Sequence, residues 1–328
     1  IKNIDINILY KAAHDLSNEK TVIFPTETVY GLGANALSDN AALKIYRAKN
    51  RPPDNPLIIH LPDFSNVEKY AFINNKYTDK IQKLIPGPFT FLFKKRKVIS
   101  NIISGNLDTV AIRIPVHPVA NELLKLCDFP VAAPSANLSG KPSPTRVKHV
   151  IEDMNGRVDT IIACDDIEFG IESTIMDLSG DIPVMLRPGP VSAEQLEEIF
   201  GKIIVPEYIH GKEQADRILA PGMKYRHYAP ETPVILITDK SEKNIDYIKN
   251  KYTDSVFIIF NEYRELFKGL NYIPVCDEEN IYFYASSIYD LLRENDNKYS
   301  NIIIMGVKEN GMGLAVMNRL RKASSLEV

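Results

Sequence analysis

Residues 41–60 have the sequence AALKIYRAKNRPPDNPLIIH, in which a helical pattern passes through a proline-rich turn into a short apolar run. Ala41–Lys49 has apolar residues at helical spacing, and Ser38 and Asp39 just before it are good helix-capping residues. The prolines that follow stop the helix, because proline has no backbone N–H to donate. Leu57–Leu61 is apolar and isoleucine-rich, as in a buried strand. This helix–turn–strand order predicts an α/β fold.

The same alternation continues through the first 205 residues. Apolar runs predict further strands, and amphipathic segments between them predict helices. We therefore predict an N-terminal α/β domain over residues 1–205, with a twisted, mixed sheet rather than a purely parallel one. The further predicted strands are Thr21–Phe24, Phe89–Phe93, Thr109–Ile114, Val131–Ala133 and Thr160–Ala163, and the further predicted helices are Thr78–Ile85, Pro118–Cys127 and Thr145–Met154.

Residues 206–233 have a different composition, with several glycines and prolines and few apolar runs, which predicts a linker. They also contain Lys224–Tyr228, an aromatic and basic cluster that a passive spacer does not need. Residues 234–328 then alternate strand and helix patterns, which predicts a smaller, Rossmann-like α/β domain. Its predicted strands are Val234–Thr238, Val256–Phe260, Tyr272–Val275 and Ile302–Val307, and its predicted helices are Ser241–Tyr252, Asn280–Arg293 and Gly313–Ala323.

The composition is that of an ordinary globular protein. A chain of 328 residues is long enough for two domains, and its net charge of −3 lacks the basic excess of a typical nucleic-acid-binding protein, although charge can cluster locally. The three cysteines form no CxxC pair, which favours a reduced chain without disulfides or a thiolate metal site. No apolar run reaches the roughly 18 to 20 residues of a membrane span, and no signal-peptide pattern is present. We therefore expect a soluble, cytoplasmic protein with no membrane association.

Residues 31–36, GLGANA, fit the G-x-G-x-x-A pattern of a dinucleotide-binding turn, with Asp54 about 20 residues later. In that fold the glycines lie directly between a strand and a helix, whereas Pro25–Tyr30 separates them here from the preceding strand. We therefore favour a loop-shaping role for these glycines over nicotinamide binding. Gly311–Gly313 follows the last predicted strand instead of the first, and predicts only a turn into a helix.

The proline-rich turn carries a group of polar residues. Lys49 and Arg51 lie at the end of the helix, and Asn55 lies within the turn. Lysine and arginine suit phosphate oxygens, and Asn55 can hydrogen-bond a phosphate or a base edge. The alternative is that the two cations only complement the helix dipole. His60 lies on the strand that follows the turn.

Further polar residues occur where predicted strands begin or end. Thr109 and Arg113 are four residues apart, so a strand places both on one face. A buried Arg113 needs an anionic partner, which could be a ligand or a structural ion pair. Small, hydroxyl-bearing or cationic segments with the same placement are 133–137 (APSAN), 139–145 (SGKPSPT, equally consistent with a surface turn), 172–174 (EST) and 186–190 (LRPGP).

Several well-known catalytic motifs are absent from the sequence. There is no P-loop, no HExxH pattern and no G-x-S-x-G nucleophile elbow. No pair of nucleophile and base can be derived from spacing alone. The cations and hydroxyls instead suit the binding of phosphate and other anionic groups.

Together these segments resemble the L-threonylcarbamoyladenylate synthase family, whose members share the YrdC-like domain. Two further segments, 221–230 and 318–323, are similar to the long, two-domain form of the family, so the resemblance extends over essentially the whole chain. The matching segments of the first domain are 25–33 (PTETVYGLG), 49–51 (KNR), 54–57 (DNPL), 86–88 (PGP), 111–115 (AIRIP), 133–137 (APSAN), 172–175 (ESTI) and 186–189 (LRPG).

The resemblance implies a nucleotidyltransferase. Its substrates would be L-threonine, bicarbonate or carbon dioxide, and ATP, and its products L-threonylcarbamoyladenylate and pyrophosphate. The adenylate would serve the threonylcarbamoyladenosine modification of tRNA beside the anticodon, with other proteins performing the transfer and direct tRNA binding at most weak. Mg²⁺ would arrive on the ATP phosphates, without protein ligands.

The resemblance also implies roles for individual residues. Lys49 and Arg51 would be catalytic, and the linker, through Tyr225, would cover the nucleotide as a lid. The residues that would contact ATP or the adenylate are Lys49, Arg51, Asn55, Thr109, Ser135, Ser143 and Arg187. The residues that would surround threonine are Thr28, His60, Arg113, Ala133 and Ser173.

Three other functions compete with this interpretation. An RNA-binding module could use a cationic concavity for a phosphate backbone, and would bind tRNA tightly with a steep salt dependence. A carbamoyltransferase of metal-centre maturation could use the same domain type, but the sequence shows no zinc-finger CxxC pairs. A nicotinamide dehydrogenase has only the glycine pattern in its favour.

Overall fold

The computed structural model describes residues 5–164, 167–211, 219 and 228–328. Helices and strands alternate through the first domain, as predicted. Its helices are α1 (Ile6–Ser17), α2 (Asp39–Lys49), α3 (Thr78–Gln82), α4 (Asn101–Ser104), α5 (Pro118–Lys125), α6 (Val147–Met154) and α7 (Ala193–Phe200). Its strands are β1 (Val22–Phe24), β2 (Gly31–Asn35), β3 (Ile58–His60), β4 (Ala71–Phe72), β5 (Phe89–Lys95), β6 (Thr109–Arg113), β7 (Val131–Ala132), β8 (Thr160–Ile161), β9 (Thr174–Asp177) and β10 (Val184–Arg187).

These strands form one mixed sheet. The strand order is β10-β9-β5-β6-β3-β7-β2-β1-β8, and β4 pairs with β5 beside this path. The pairs β5–β9, β3–β6 and β1–β8 are parallel, whereas pairs such as β5–β6 and β1–β2 are antiparallel. The predicted mixed sheet is therefore confirmed. Helices α1 and α5 pack on one face of the sheet and α2 on the other.

Local sequence explains how α2 delivers the proline-rich turn to the sheet. The Ser38 hydroxyl caps the helix by accepting the backbone N–H of Ala41 at 3.2 Å. The helix ends at Asn50, which has the left-handed conformation with φ of 51°, one that asparagine adopts more readily than most residues. The chain then runs through the turn into β3, as the sequence predicts.

The loop-shaping role predicted for the glycines of residues 31–36 is wrong, because Gly31–Asn35 forms strand β2. This strand pairs antiparallel with β1, so its glycines do not form a dinucleotide-binding turn. Glycine is needed there for packing: a Cβ on Gly33 would lie 2.7 Å from the Phe24 ring and 3.2 Å from the carbonyl oxygen of Val22. The glycine pattern is therefore explained by the close packing of strand β2 against strand β1.

The second domain has a parallel sheet of its own. Its strands are β11 (Val234–Ile237), β12 (Ser255–Ile259), β13 (Tyr272–Pro274), β14 (Asn301–Met305) and β15 (Leu326–Glu327), and its helices are α8 (Glu242–Lys251), α9 (Ile281–Glu294) and α10 (Met312–Ala323). The strand order is β13-β12-β14-β11-β15, and all four pairings are parallel. This is the α/β class predicted, but β14 lies between β11 and β12, which differs from the order of a dinucleotide-binding domain. Gly311 precedes α10, as expected of a turn into a helix.

Some elements were not predicted from the sequence. No element was predicted for the segments that form helices α1 and α7. The segments that form strands β9 and β10 were predicted only as strand edges. Short 3₁₀ helices occur at Phe64–Lys69, Asn75–Tyr77, Glu207–His210 and Asn261–Phe267, the third of them inside the predicted linker. None of the helices in the described part of the chain has both the length and the apolar character to cross a bilayer.

Candidate active site

One row of paired residues crosses five neighbouring strands of the first sheet and places the main polar groups of the site. His60 of β3 pairs with Arg113 of β6, which pairs with Thr90 of β5. Thr90 pairs with Ile175 of β9, which pairs with Arg187 of β10. Paired residues on adjacent strands project to the same face of a sheet. Two arginines and a histidine that are distant in sequence therefore share one face.

A cavity lies against this row and is closed on other sides by the 26–31 segment, the end of α2 and the 133–141 loop. It brings together most of the site residues predicted from the sequence: Thr28, Lys49, Arg51, His60, Arg113, Ala133, Ser135, Ser173 and Arg187. The cavity is also lined by Thr26, Val29, Tyr30, Gly31, Ile58, Pro134, Asn137, Ser139, Gly140, Lys141, Glu172 and Tyr228.

Arg113 has the anionic partner that its burial requires. Its Nη2 donates to Oε1 of Glu27 at 2.6 Å, and its Nη1 donates to the Thr28 hydroxyl at 2.9 Å. Both members of the ion pair are almost completely buried. The structural ion pair that the sequence left open is thus present, and Arg113 still lines the cavity. Its Nε is buried and has no hydrogen-bond acceptor among the described residues.

Lys49 connects the end of α2 to the 133–141 loop. Its ammonium donates to the carbonyl oxygens of Ser135 at 2.5 Å and Asn137 at 2.6 Å. Asn137 in turn holds the loop by donating to the carbonyl oxygens of Leu138 and Lys141. Burial, and to a smaller extent the nearby Arg51, lowers the pKa of Lys49 well below its usual value. A longer contact of 3.5 Å joins the ammonium to Oδ1 of Asn137, so the protein itself provides acceptors for the ammonium protons, in addition to any role of Lys49 toward a ligand.

Arg51 closes the proline-rich turn. Its Nη2 donates to the carbonyl oxygens of Asn55 at 3.3 Å and Pro56 at 3.0 Å. Burial lowers the pKa of Arg51 to about 10, so the guanidinium stays charged at neutral pH. Its Nε has no acceptor among the described residues, and the side-chain oxygen of Asn55 is likewise buried without a donor there.

Arg187 and Ser173 form the opposite side of the cavity. Arg187 donates through Nε to the Ser173 carbonyl oxygen at 3.0 Å and through Nη2 to the Ser173 hydroxyl at 3.2 Å. The Ser173 hydroxyl lies 2.8 Å from that of Thr90. Tyr228 of the linker, at which the described residues resume, interacts with Arg187 through its hydroxyl. A linker residue therefore reaches the site.

The second domain also contacts this side of the cavity. Glu172 is buried and accepts hydrogen bonds from Ser143 at 2.5 Å, from Arg319 of α10 at 3.1 Å and from Tyr289 of α9 at 3.1 Å. Burial alone would raise the pKa of Glu172, but Arg319 and then Arg187 outweigh burial and lower it. Glu172 is therefore an ionised carboxylate shared by the two domains.

His60 is held in its neutral form. Burial, with a smaller contribution from Arg113, lowers the pKa of His60 to about 3. Its Nδ1 is buried and has no partner among the described residues. A neutral imidazole in the cavity can donate or accept a hydrogen bond without adding a charge.

The remaining predicted site residues lie elsewhere. Asn55 and Ser143 are buried just behind the cavity lining, and Ser143 donates to Glu172 rather than into the cavity. Thr109 lies at the other end of β6 from Arg113, roughly 13 Å away at the rise of an extended strand, and is not among the lining residues. Tyr225 lies outside the described residues.

Sequence reasoning assigned no role to several residues of the site. Glu27 lies in the quoted 25–33 segment, and the signal that could have identified it is the anion that a buried Arg113 requires. Glu172 was quoted only as part of a strand edge. Arg319 was quoted only within the matching segment 318–323, and Tyr289 gave no signal, because both belong to the other domain and reach the site only through the tertiary fold.

The fold and site define a class of protein. The mixed α/β domain places Lys49, Arg51, Arg113 and Arg187 around one cavity, with hydroxyl and amide groups between them. Such a cluster suits carboxylate and phosphate groups, and the arginines can bind either in a bidentate manner. The site is therefore that of an α/β enzyme acting on anionic substrates.

Comparisons with known proteins identify the family. A family model described as telomere recombination, covering the Sua5, YciO and YrdC proteins, matches residues 14–189, and one described as threonylcarbamoyl-AMP synthase, C-terminal domain, matches residues 191–325. The threonylcarbamoyl-AMP synthase of Pyrococcus abyssi is 41% identical over 97% of this chain and 94% of its own length. That of Bacillus subtilis is 40% identical over 96% of this chain and 92% of its own length.

A comparison with a solved structure supports the same family. The crystal structure of P. abyssi Sua5 complexed with L-threonine superposes with a TM-score of 0.90 at 40% sequence identity, and the superposition covers 100% of this chain and 98% of that one. The chain belongs to the threonylcarbamoyl-AMP synthase family of enzymes. The resemblance found in the sequence, and the two-domain fold that it implied, are confirmed.

Proposed function

We propose that this chain joins L-threonine, bicarbonate or carbon dioxide, and ATP into L-threonylcarbamoyladenylate, with release of pyrophosphate. One observation supports this most directly: a single cavity is lined by Arg113 beside the Thr28 hydroxyl and by four further cationic side chains, Lys49, Arg51, Lys141 and Arg187. That arrangement suits an amino acid carboxylate and a triphosphate bound side by side. The family membership supports the same reaction.

L-Threonine binds on the Arg113 side in this proposal. Arg113 and Thr28 are already fixed to each other, so the guanidinium is oriented before the ligand arrives, which lowers the entropy lost on binding. The substrate carboxylate accepts from the remaining Arg113 N–H groups. Neutral His60 offers a hydrogen bond to the amine or hydroxyl, and Ala133 and Ser173 complete the pocket.

ATP binds on the side of Arg51 and Arg187. Arg51 contacts the phosphates through those of its N–H groups that are not hydrogen-bonded to the proline-rich turn. Arg187 contacts them from strand β10. Lys49 keeps Ser135 and the 133–141 loop in place beside the nucleotide. Asn55, Thr109 and Ser143 remain proposed contacts of ATP or the adenylate. In this scheme Ser143 contacts ATP only if its hydroxyl gives up the hydrogen bond that it donates to Glu172.

The chemistry requires alignment more than covalent participation. The threonine amine adds to carbon dioxide and loses a proton to give a carbamate. A carbamate oxygen then attacks the α-phosphorus, and the bond between the α-phosphorus and the bridging oxygen of pyrophosphate breaks. Arg51, Lys49 and Arg187 neutralise charge as it moves onto pyrophosphate. Orienting the two substrates in one cavity supplies most of the remaining acceleration.

Mg²⁺ is proposed to enter with ATP. Among the described residues that line the cavity, Glu172 is the only carboxylate, and Arg319, Ser143 and Tyr289 already occupy its oxygens. This donor set fits a metal held by phosphate oxygens instead of protein side chains. When bound, the ion polarises the phosphates and neutralises part of their charge.

Water must be kept from the carbamate and the mixed anhydride, both of which hydrolyse readily. We propose that the linker does this as a lid, which is supported by the linker residue Tyr228, since it lines the cavity and is close in sequence to Tyr225. We further propose that the chain works in the cytoplasm and that other proteins transfer the product to tRNA. Direct tRNA binding is at most weak, in keeping with a net charge of −3.

Isotope labelling tests this reaction directly. The full chain is incubated with ATP, Mg²⁺, L-threonine and ¹³C-bicarbonate, and the nucleotide products are analysed by mass spectrometry. We expect an adenylate that carries the mass of threonine and one ¹³C atom, and its loss when any one substrate is omitted. An unlabelled adenylate, or AMP alone, contradicts the proposed function.

A further inference from the structure

The segment 318–323 resembles the long form of the family, but the reaction proposed above gives it no role. Arg319, in helix α10 of the second domain, is only 1% exposed. Its guanidinium points into the first domain, where Nε donates to Oε2 of Glu172 at 3.1 Å and Nη1 donates to the carbonyl oxygen of Pro188 at 2.6 Å. Nη2 donates to the backbone carbonyl oxygen of Glu172 at 3.3 Å.

These acceptors are the immediate neighbours of two site residues. Glu172 and Ser173 directly precede β9, and Pro188 follows Arg187 at the end of β10. Arg187 itself donates to the Ser173 carbonyl oxygen. Arg187 therefore joins the two strand ends at the cavity, and Arg319 joins them behind it. One guanidinium from the second domain thus connects the backbones that carry Ser173 and Arg187.

We propose that Arg319 is a positioning residue for the reaction: by joining Glu172 to Pro188, it fixes Arg187 and Ser173 relative to each other in the cavity. The proposal rests on the proposed function, because it takes these two residues to contact the nucleotide and threonine. It gives the second domain a specific part in the first domain's site. Replacing Arg319 is therefore expected to misalign the substrates, beyond any effect on folding.

The chemistry of the contact requires arginine. Its planar group carries several N–H donors at fixed angles, and three of them are used here on two chain segments. A lysine at the same place keeps the charge for Glu172 but lacks the planar group whose fixed N–H donors contact both segments at once. Tyr289 of α9 holds the same Glu172 carboxylate through its hydroxyl, and stacks on Tyr228 at 5.4 Å between ring centroids.

A conservative variant of the full chain separates positioning from simple stabilisation. Arg319→Lys keeps the charge, and Arg321→Lys is the matched control, since Arg321 lies on the same helix but pairs with Glu309 and Glu327 of its own domain. The values of kcat and KM for ATP and for L-threonine are measured from pyrophosphate release, at a temperature well below the Tm of each variant. We expect kcat/KM for ATP to fall at least about tenfold in Arg319→Lys and less than about twofold in Arg321→Lys.

The outcomes are distinguishable. If Arg319 only stabilises the fold, Arg319→Lys has a lower Tm but wild-type kcat and KM, and the inference is wrong. If Arg319→Lys does not fold, Tyr289→Phe decides, because it removes one hydroxyl and keeps the ring stacked on Tyr228. A loss of at least about threefold in its kcat/KM supports positioning through Glu172, and an unchanged value contradicts it. A wild-type chain without threonine-dependent pyrophosphate release refutes the proposed function itself.

Discussion

Arg113 and Glu27 form a buried ion pair with 2.6 Å between Nη2 and Oε1, in the side of the cavity that we assign to threonine. The cation proposed to bind the substrate carboxylate therefore already has a counter-charge. Such a pair holds the guanidinium in place in the absence of substrate. It also makes Arg113 sensitive to what happens at Glu27.

Glu27→Gln leaves Arg113 buried with no anion beside it, and should lower the free energy of unfolding by about 3 kcal/mol. L-Threonine should recover part of this loss, because its carboxylate replaces the missing charge. The measurement is Tm with and without saturating L-threonine in both proteins, with L-threoninol, which lacks the carboxylate, as the control ligand. Equal threonine-induced shifts in wild type and variant would show that Arg113 does not bind the carboxylate.

Arg51→Ala and Arg113→Ala should each lower the rate of synthesis at least about 100-fold, or about 2.7 kcal/mol in barrier. The reason is the loss of charge stabilisation at the phosphates in the first case and of threonine orientation in the second. The rates are measured well below the Tm of each variant, because Arg113→Ala also leaves Glu27 buried without its cation. Arg47→Ala, on the exposed side of α2, is the control and should change the rate less than about twofold. Pyrophosphate release at wild-type rates in both site variants contradicts these assignments.

Gly189→Ala should damage both stability and activity. A Cβ at this position would lie 2.7 Å from the carbonyl oxygen of Glu172 and would also overlap the backbone nitrogen of Thr174, so the two strand ends must separate. We expect a loss of about 2 to 3 kcal/mol of unfolding free energy, as for other overpacked sites, measured by urea denaturation. Gly180→Ala has open space around it and should change stability by less than about 0.5 kcal/mol. If both variants behave alike, the close approach at Gly189 is not a constraint.

His60 should make stability depend on pH. The pKa of His60 is lowered from 6.5 to about 3, so between these pH values the imidazole is protonated in the unfolded chain and neutral in the folded chain. Stability from this residue is complete above about pH 6.5 and decreases as pH falls below that value, by about 2 kcal/mol at about pH 5. His60→Gln should remove that part of the decrease in urea denaturation, whereas replacement of the exposed His14 should not. An unchanged pH dependence in His60→Gln contradicts a buried neutral imidazole.

The sequence predicted most of the fold because its elements carry local signals. Strands β5, β6 and β12 and helices α2, α9 and α10 were found within a few residues, since apolar spacing and capping act over short distances. Strand β2 was missed, because its glycines have the same pattern as a loop, and only the packing of Gly33 against Phe24 explains them. Strand order and register were not predictable, because they depend on pairing between distant segments.

The site was predicted in part for the same reason. Arg113, Arg187 and His60 could be singled out as polar residues in apolar strands, but nothing local says that one register row joins them. The alternative left open for Arg113, an ion pair, is present, and its partner Glu27 is 86 residues away. Arg319 lies 147 residues from Glu172 and belongs to another domain, so only the folded structure reveals that pair.

Pyrophosphate release by the purified chain tests the central claim most directly. The rate is measured with ATP and Mg²⁺, with and without L-threonine and bicarbonate, and with L-serine in place of threonine. The account predicts that release requires both threonine and bicarbonate and is much slower with serine, which lacks the methyl group of threonine. Release at the same rate without threonine would contradict it.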